Sequence, residues 1–259
     1  MTEQGAVPAV AVIADLVGSR LLPDRASAQE QVLHAWAEAH GQVCGSASSH
    51  ADGQAGTDET SSGTAGDQPP APGAGQVPPW ATVGDEFQAV YPDLPTALRA
   101  LLRVMLALQE PVRLRFGIGL GHVTALADGQ GGPILDGDAW WSARAAIEAG
   151  HERDATAATL EVRSAAGDAA EDGEAVPGLE AAAARLLEHL IGAMKPRERR
   201  IVRATLDGVY QKDVAEAEGI SQSAVSQSLT RSGGRMLVDV DHLLAQAAGR
   251  PARTGQEHR

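Results

Sequence analysis

With 259 residues, 43% of them hydrophobic, the chain is long enough to bury a sizeable core and to form two domains, which excludes a wholly disordered protein. A single cysteine excludes an internal disulfide, and the apolar run around residues 8–17 is broken by Asp15 and too short to cross a bilayer; with no signal-peptide pattern at the start, a cytoplasmic protein without a membrane partner is expected. The net charge of −13 is uneven: residues 181–259 hold 12 Lys+Arg against 9 Asp+Glu, or +3, which leaves 9 against 25, or −16, for residues 1–180, so an acidic body carries a mildly basic tail unit.

In chain order, AVAVIAD (9–15) reads as a buried strand that ends at an acid. Ser27 with Glu30 has the spacing of a capping box and opens a helix whose Val32, Trp36 and Ala39 share one face. From about 41 to 79 the chain is Gly, Ser, Ala, Thr, Pro and acidic residues; that composition does not offset the entropy of ordering and predicts a disordered insertion. ATVGDEFQAVYPD (81–93) then interrupts β-forming residues with Gly84, Asp85 and Glu86, the pattern of a hairpin tip that presents negative charge from a sheet edge. A helix follows, with Leu94, Ala97, Leu98, Leu101, Leu102 and Met105 at helical spacing.

VRLRFGIGLG alternates, with Val112, Leu114, Phe116, Ile118 and Leu120 on one face and Arg113, Arg115, Gly117 and Gly119 on the other. The pattern predicts a strand with one face against helices and the opposite face bare and basic. GIGLG (117–121) lies inside that strand, so it is not a dinucleotide fingerprint. A helix over about 138–148 and a strand near 158–162 complete an α+β unit. Its order, β-α-β-β-α-β, is that of a ferredoxin-like split βαβ layer.

In such a sheet the first strand lies beside the hairpin, so Asp15 and Asp85 could both offer oxygens to a hard cation such as Mg²⁺. Gly18 permits close backbone approach, and Ser19 could hydrogen-bond a phosphate. The same residues also fit a capped turn and a solvated tip. VIADLVGSR, VGDEFQAVYP, LRFGIGLGHVTAL and GPILDGDAWWSARAAIE, in that order, resemble the SatD family. More remotely they resemble the cyclase domain of class III nucleotidyl cyclases and its GGDEF-type cousins. The likeness covers most of residues 8–150 outside the insertion. In those cyclases one aspartate ending the first strand and one in a Gly-Asp hairpin hold two metal ions over a nucleotide triphosphate, and Asp15 and Asp85 match them.

The resemblance also has departures. The place of the base-selecting lysine, four residues before the hairpin aspartate, holds Ala81, and if Arg144 is the transition-state arginine, the asparagine position holds Trp140. A pocket that has kept its ligand and lost its turnover is therefore expected, with no catalytic residue assigned. Its ligand contacts would be Gly18, Ser19, Arg20, Gly84, Glu86, Arg115 on the exposed sheet face and Arg144 on the following helix. Trp140 and Trp141 are expected in core or dimer contacts.

AAGDAAEDGEAVPG (165–178) reads as a linker. Beyond it, Pro196 suits the first turn of a helix and Gly208 its left-handed end. A short helix from Gln211 to Glu218 stops at Gly219, and Ser221 caps the next, worth ~1 kcal/mol. Ala215, Gly219 and Val225 supply the close approach, the turn and the wedge that a helix-turn-helix requires. On the second helix Gln222, Ser223, Ser226, Gln227 and Thr230 can reach base edges, with Arg231 and Arg235 for phosphates and Gln211, Lys212 and Ser221 beside them. Ala224, Val225 and Leu229 face inward.

Residues 180–235 resemble region four of sigma factors and the LuxR-type and MarR-type helix-turn-helix modules. A last helix, 235–248, has Met236, Leu237, Val240, Leu243, Leu244 and Ala247 on one stripe, to cover the unit or pair with a second subunit. A homodimer with half-sites about 34 Å apart is expected. The sequence thus predicts an α+β cyclase-like domain (1–164), a linker (165–178), a helix-turn-helix domain (179–248) that binds double-stranded DNA, and a frayed tail (249–259). The first domain would sense a nucleotide or phosphorylated ligand. An active cyclase or phosphotransferase with a DNA-targeting module, and a catalytically dead scaffold for a protein partner, are the alternatives.

Overall fold

The run of apolar residues in Val7–Leu16 (β1) is buried without alternation because both faces of this strand are covered. β1 lies centrally in a mixed sheet of a computed structural model that describes residues 6–45, 76–82, 84–129, 132–164 and 178–249. It pairs antiparallel with Glu86–Tyr91 (β3) on one side and Leu114–Gly129 (β4) on the other. Val77–Ala81 (β2) flanks β3, Gly132–Asp136 (β5) pairs with the far half of β4, and Leu160–Ser164 (β6) runs parallel to its first half. The architecture is α+β.

Arg25–Gly45 (α1) and Leu94–Ala107 (α2) cover one face of the sheet. There Trp36 of α1 packs edge-on against Phe116 at 5.6 Å and donates its indole N–H to the Tyr91 hydroxyl at 2.7 Å, so the two polar atoms of this buried cluster satisfy each other. α1 starts earlier than the Ser27 and Glu30 spacing predicts, because Asp24 Oδ1 accepts the Ser27 N–H at 3.0 Å. It runs on to Gly45, and β2 begins at Val77, so both ends of the expected 41–79 insertion belong to regular elements. Residues 46–75, most of the expected linker and most of the expected tail lie outside the described residues.

Asp138–Arg153 (α3) covers the other face, which corrects the expectation that it is bare and basic. The alternating glycines are the reason. A Cβ on Gly117 would stand 2.6 Å from the Ile147 backbone nitrogen, and one on Gly119 would overlap the Ala139 carbonyl and the Ala143 nitrogen. Only a strand without side chains there lets the backbone of α3 settle onto it, sealing Ala9, Ala11 and Ile13 beneath Ala139, Ala143 and Ile147.

The chain then forms Leu179–Gly192 (α4), Pro196–Leu206 (α5), Gln211–Glu218 (α6), Gln222–Arg231 (α7) and Gly234–Ala247 (α8). α4, α5 and α8 pack against α2, and the apolar core runs from the sheet through α2 to Ile191, Ile201, Val202, Val225 and Leu237 without a break. The apolar stripe expected on α8 is split: Leu237 is buried and Val240 and Leu244 partly so, while Met236 and Leu243 face outward. Among the described residues no helix is long and apolar enough to cross a membrane.

Candidate functional site

β1 carries Asp15 to the sheet end where the β2–β3 tip returns. In register, Asp15 stands opposite Glu86 on β3 and Arg115 on β4. The tip is drawn in by a hydrogen bond from the Leu16 N–H to the Asp85 carbonyl at 3.3 Å. Gly84 takes a left-handed φ of 91° in the turn, and its carbonyl accepts from Gln29 Nε2 at 2.5 Å.

Three acids therefore converge, and each meets one guanidinium from a different element. Arg115 Nη1 of β4 donates to both oxygens of Asp15 at 3.1 and 2.9 Å, while its Nη2 donates to the Ala155 carbonyl at 3.0 Å. Arg144 of α3 grips Glu86 through both terminal nitrogens at 2.6 and 3.1 Å. Arg25 of α1 stands 3.6 Å from Asp85. Burial raises the Asp15 carboxyl above the ordinary range against the pull of Arg115, with the Asp85 charge adding to the rise. The hydrogen bonds to Glu86 push the Arg144 guanidinium further up.

Arg115 is 3% exposed, which corrects its expected place on an open sheet face; α3 and the segment at Ala155 enclose it. Gly18, with φ of 63°, opens a single 3-10 turn over Ser19–Leu21, where Arg20 is exposed and Ser19 half-buried. Trp140 packs edge-on against Trp80 at 6.2 Å, whereas Trp141 is exposed. As arranged, Asp15 would have to leave Arg115 before it could hold Mg²⁺ with Asp85. Both Asp15 oxygens are held by Arg115, and among the described residues no group of three acid, histidine or cysteine side chains is placed to bind a metal ion.

The other predicted residues lie on α6 and α7, joined through residues 219–221 with Gly219 left-handed. Val214, Ala215, Val225 and Leu229 are buried between the helices, Ala224 partly so, and Ser228 joins them. Several of the exposed polar side chains are engaged locally. Ser221 Oγ accepts the Ala224 N–H at 3.2 Å and lies 2.9 Å from Ser223 Oγ, Ser226 Oγ accepts from Arg235 at 2.7 Å, and Thr230 donates to the Ser226 carbonyl at 3.1 Å. Gln222, Gln227, Lys212 and Arg231 keep solvent-facing ends, with Gln211 half-buried next to them. Tyr210, not singled out by the sequence reading, borders an open groove of about 430 Å³ with Gln211, Lys212 and Gln222. Its signal was an aromatic residue directly before a polar helix.

A second group that sequence reasoning passed over joins the layer to the helices. Asp241 of α8, 4% exposed, accepts from Arg103 Nη1 and Nη2 at 2.5 and 3.1 Å and from Arg99 Nε at 3.0 Å. Burial opposes ionisation of this carboxyl, but the two arginines outweigh it and hold it below the ordinary range.

The SatD family matches residues 77–240. No curated protein matches the chain. Among solved structures, a bacterial light-regulated adenylyl cyclase is 13% identical with a TM-score of 0.35, over 62% of this chain and 76% of its own. A guanylyl cyclase is 14% identical with a TM-score of 0.33, over 62% and 83% respectively. Likeness at that level bears on neither activity nor site.

Proposed function

The chain belongs to the SatD family, and from that premise we propose that it is a cytoplasmic DNA-binding transcription regulator in which α6 and α7 form a helix-turn-helix and the sheet unit senses a nucleotide or other phosphorylated ligand. One observation carries the reading. α7 buries Val225 and Leu229 against its neighbours while Gln222, Gln227 and Arg231 point outward with no hydrogen bond of their own among the described residues. Amides and guanidinium groups in that position suit base edges and phosphates. The strand sequence β2-β3-β1-β4, all antiparallel, supports reading the layer as ferredoxin-like. A homodimer would present two copies of α7, and the outward Met236 and Leu243 of α8 suit such a contact.

For the sensing part, Arg25 and Arg144 are accessible cations already paired with acids at the end of β1, with side chains 46% and 45% exposed, so a phosphate could exchange for Asp85 or Glu86 there, with the exposed Arg20 in the turn after β1. An active cyclase or phosphotransferase would instead require Asp15 to leave Arg115. Fluorescence anisotropy of the full chain on duplex DNA over a salt series tests the main reading. Binding should weaken with salt, and Arg231→Ala should lower the slope by about one counterion. No duplex binding at low salt, or binding indifferent to Gln227→Ala and Arg231→Ala, would end it. A nucleotide panel with and without Mg²⁺, read by melting temperature, tests the sensing part separately.

A further inference from the structure

Away from the β1 end, a cavity of about 440 Å³ opens where the sheet unit meets the helical unit. Its floor is apolar: Met105 and Leu108 from the end of α2, Leu114 and Phe116 from β4, and Ile191 from α4. Its rim is charged. Glu188 is fully engaged, since Arg153 holds both of its oxygens at 3.2 and 2.6 Å and the Leu160 N–H donates to one at 2.8 Å. Glu110 stands 3.9 Å from Arg113. Arg199 of α5 also lines the cavity, and its buried Nε has no hydrogen-bond partner; among the described residues it has no ion-pair partner either. His189 completes the rim. Glu188 is thus spoken for, Glu110 is exposed with Arg113 beside it, and the Arg199 guanidinium is left over, above an apolar floor of a size that suits a small organic ligand.

We propose that this cavity binds a small organic carboxylate with an apolar body, its head group on Arg199 and its body against Phe116 and Leu108. The Arg199 Nε is closed off from the cavity, but the half-buried guanidinium as a whole lacks a counterion among the described residues, and a carboxylate at its outer nitrogens would supply one. Acetate lacks the body and an alkyl alcohol lacks the charge, so neither should occupy the site well. Because the walls come from α2 and β4 on one side and α4 and α5 on the other, the ligand would bridge the two units. The site stands whether or not α7 binds DNA.

Melting temperature and calorimetric titration of the full chain with octanoate and 3-phenylpropionate, set against acetate, octanol and octylamine, test it. At least one of the two carboxylates should raise the melting temperature saturably, and the three controls should not. Arg199→Gln should weaken that binding about tenfold, the scale of one hydrogen bond to a charged group. Gly192 lies on the cavity wall with nothing within 4 Å of where its Cβ would be, so Gly192→Phe should fold and block the site, which keeps the test valid if Arg199→Gln is unstable. No response to either carboxylate, an equal response to octanol, or full binding by Gly192→Phe would overturn the proposal.

Discussion

Replacing Asp241 with alanine should be among the most damaging single changes in the helical unit. The carboxylate accepts three N–H donors, from Arg103 at 2.5 and 3.1 Å and from Arg99 at 3.0 Å, and the Asp241 and Arg103 side chains are only 6% and 7% exposed. The loss leaves Arg103, whose Nε already lacks a partner, as a buried charge with no hydrogen-bonded carboxylate and only Asp207 within electrostatic reach. Removing one member of a buried pair costs about 3–5 kcal/mol, a large fraction of a total stability of roughly 5–15 kcal/mol. With a urea slope of about 2–3 kcal/mol/M, the midpoint should fall by roughly 1–2 M at pH 7. The double change Arg103→Met with Asp241→Leu should recover most of the loss, because it removes both charges and keeps apolar volume. The pH dependence follows from the lowered carboxyl. Its contribution is present above the unfolded value of about 3.9 and is lost as pH falls through the folded value, so the wild type should lose this component in acid and Asp241→Ala should not. A midpoint shift under about 0.3 M, or a double variant as weak as the single one, would refute the reasoning.

Gly119→Val should lift α3 from the sheet, since even a Cβ there overlaps the backbone of Ala139 and Ala143; a loss of at least about 1–3 kcal/mol in thermal or urea unfolding is expected. Tyr91→Phe should cost about 1–3 kcal/mol by leaving the buried Trp36 indole N–H without an acceptor, measured in the same way. The Cys44 thiol, pushed up to about 11 chiefly by burial, should react with iodoacetamide at pH 8 on the order of a hundredfold more slowly than a free thiol, and urea should abolish the difference.

The helices at the C-terminal end were legible because their punctuation is local. Pro196 starts α5, Gly208 follows its end with φ of 77°, Gly219 ends α6 and Ser221 caps α7, and each signal acts within a few residues of where it stands. Period-two alternation likewise identified the buried face of β4. It could not reveal what covers the other face, because Gly117 and Gly119 read as an absence of side chains until α3 is laid against them. Register was equally hidden. Asp15 and Arg115 are 100 residues apart, and alternation gives the face of a strand without giving its partner. Asp24 and Ser27 both carry capping chemistry at adjacent turns, and only the backbone path selects Asp24. Nothing local marks Asp241, because its partners lie on α2, far away in the chain.

Among the ionic ties that join the sheet unit to the C-terminal helices, which include Arg153–Glu188 and Arg185–Glu161 at α4, two that reach α5 and α8 differ in kind. The Arg103–Asp241 pair is buried, and breaking it exacts the full cost of an isolated charge. Arg203 of α5 meets Glu38 of α1 at 2.7 Å with both side chains about one-third exposed, and a tie of that sort is worth roughly 0–1 kcal/mol. α1 carries Arg25 at its first residue, against Asp85, and Glu38 further along, against α5. A ligand that takes Arg25 from Asp85 therefore acts on the element whose link to the helices is cheap to change. Arg115 is enclosed and fixed between Asp15 and Ala155, so the centre of the sheet offers no such freedom. A signal that starts at Arg25 should run to α7 through α1 and α5, with α2 and α8 as the fixed side; Glu38→Gln should then weaken the coupling of ligand to DNA while leaving the melting temperature nearly unchanged.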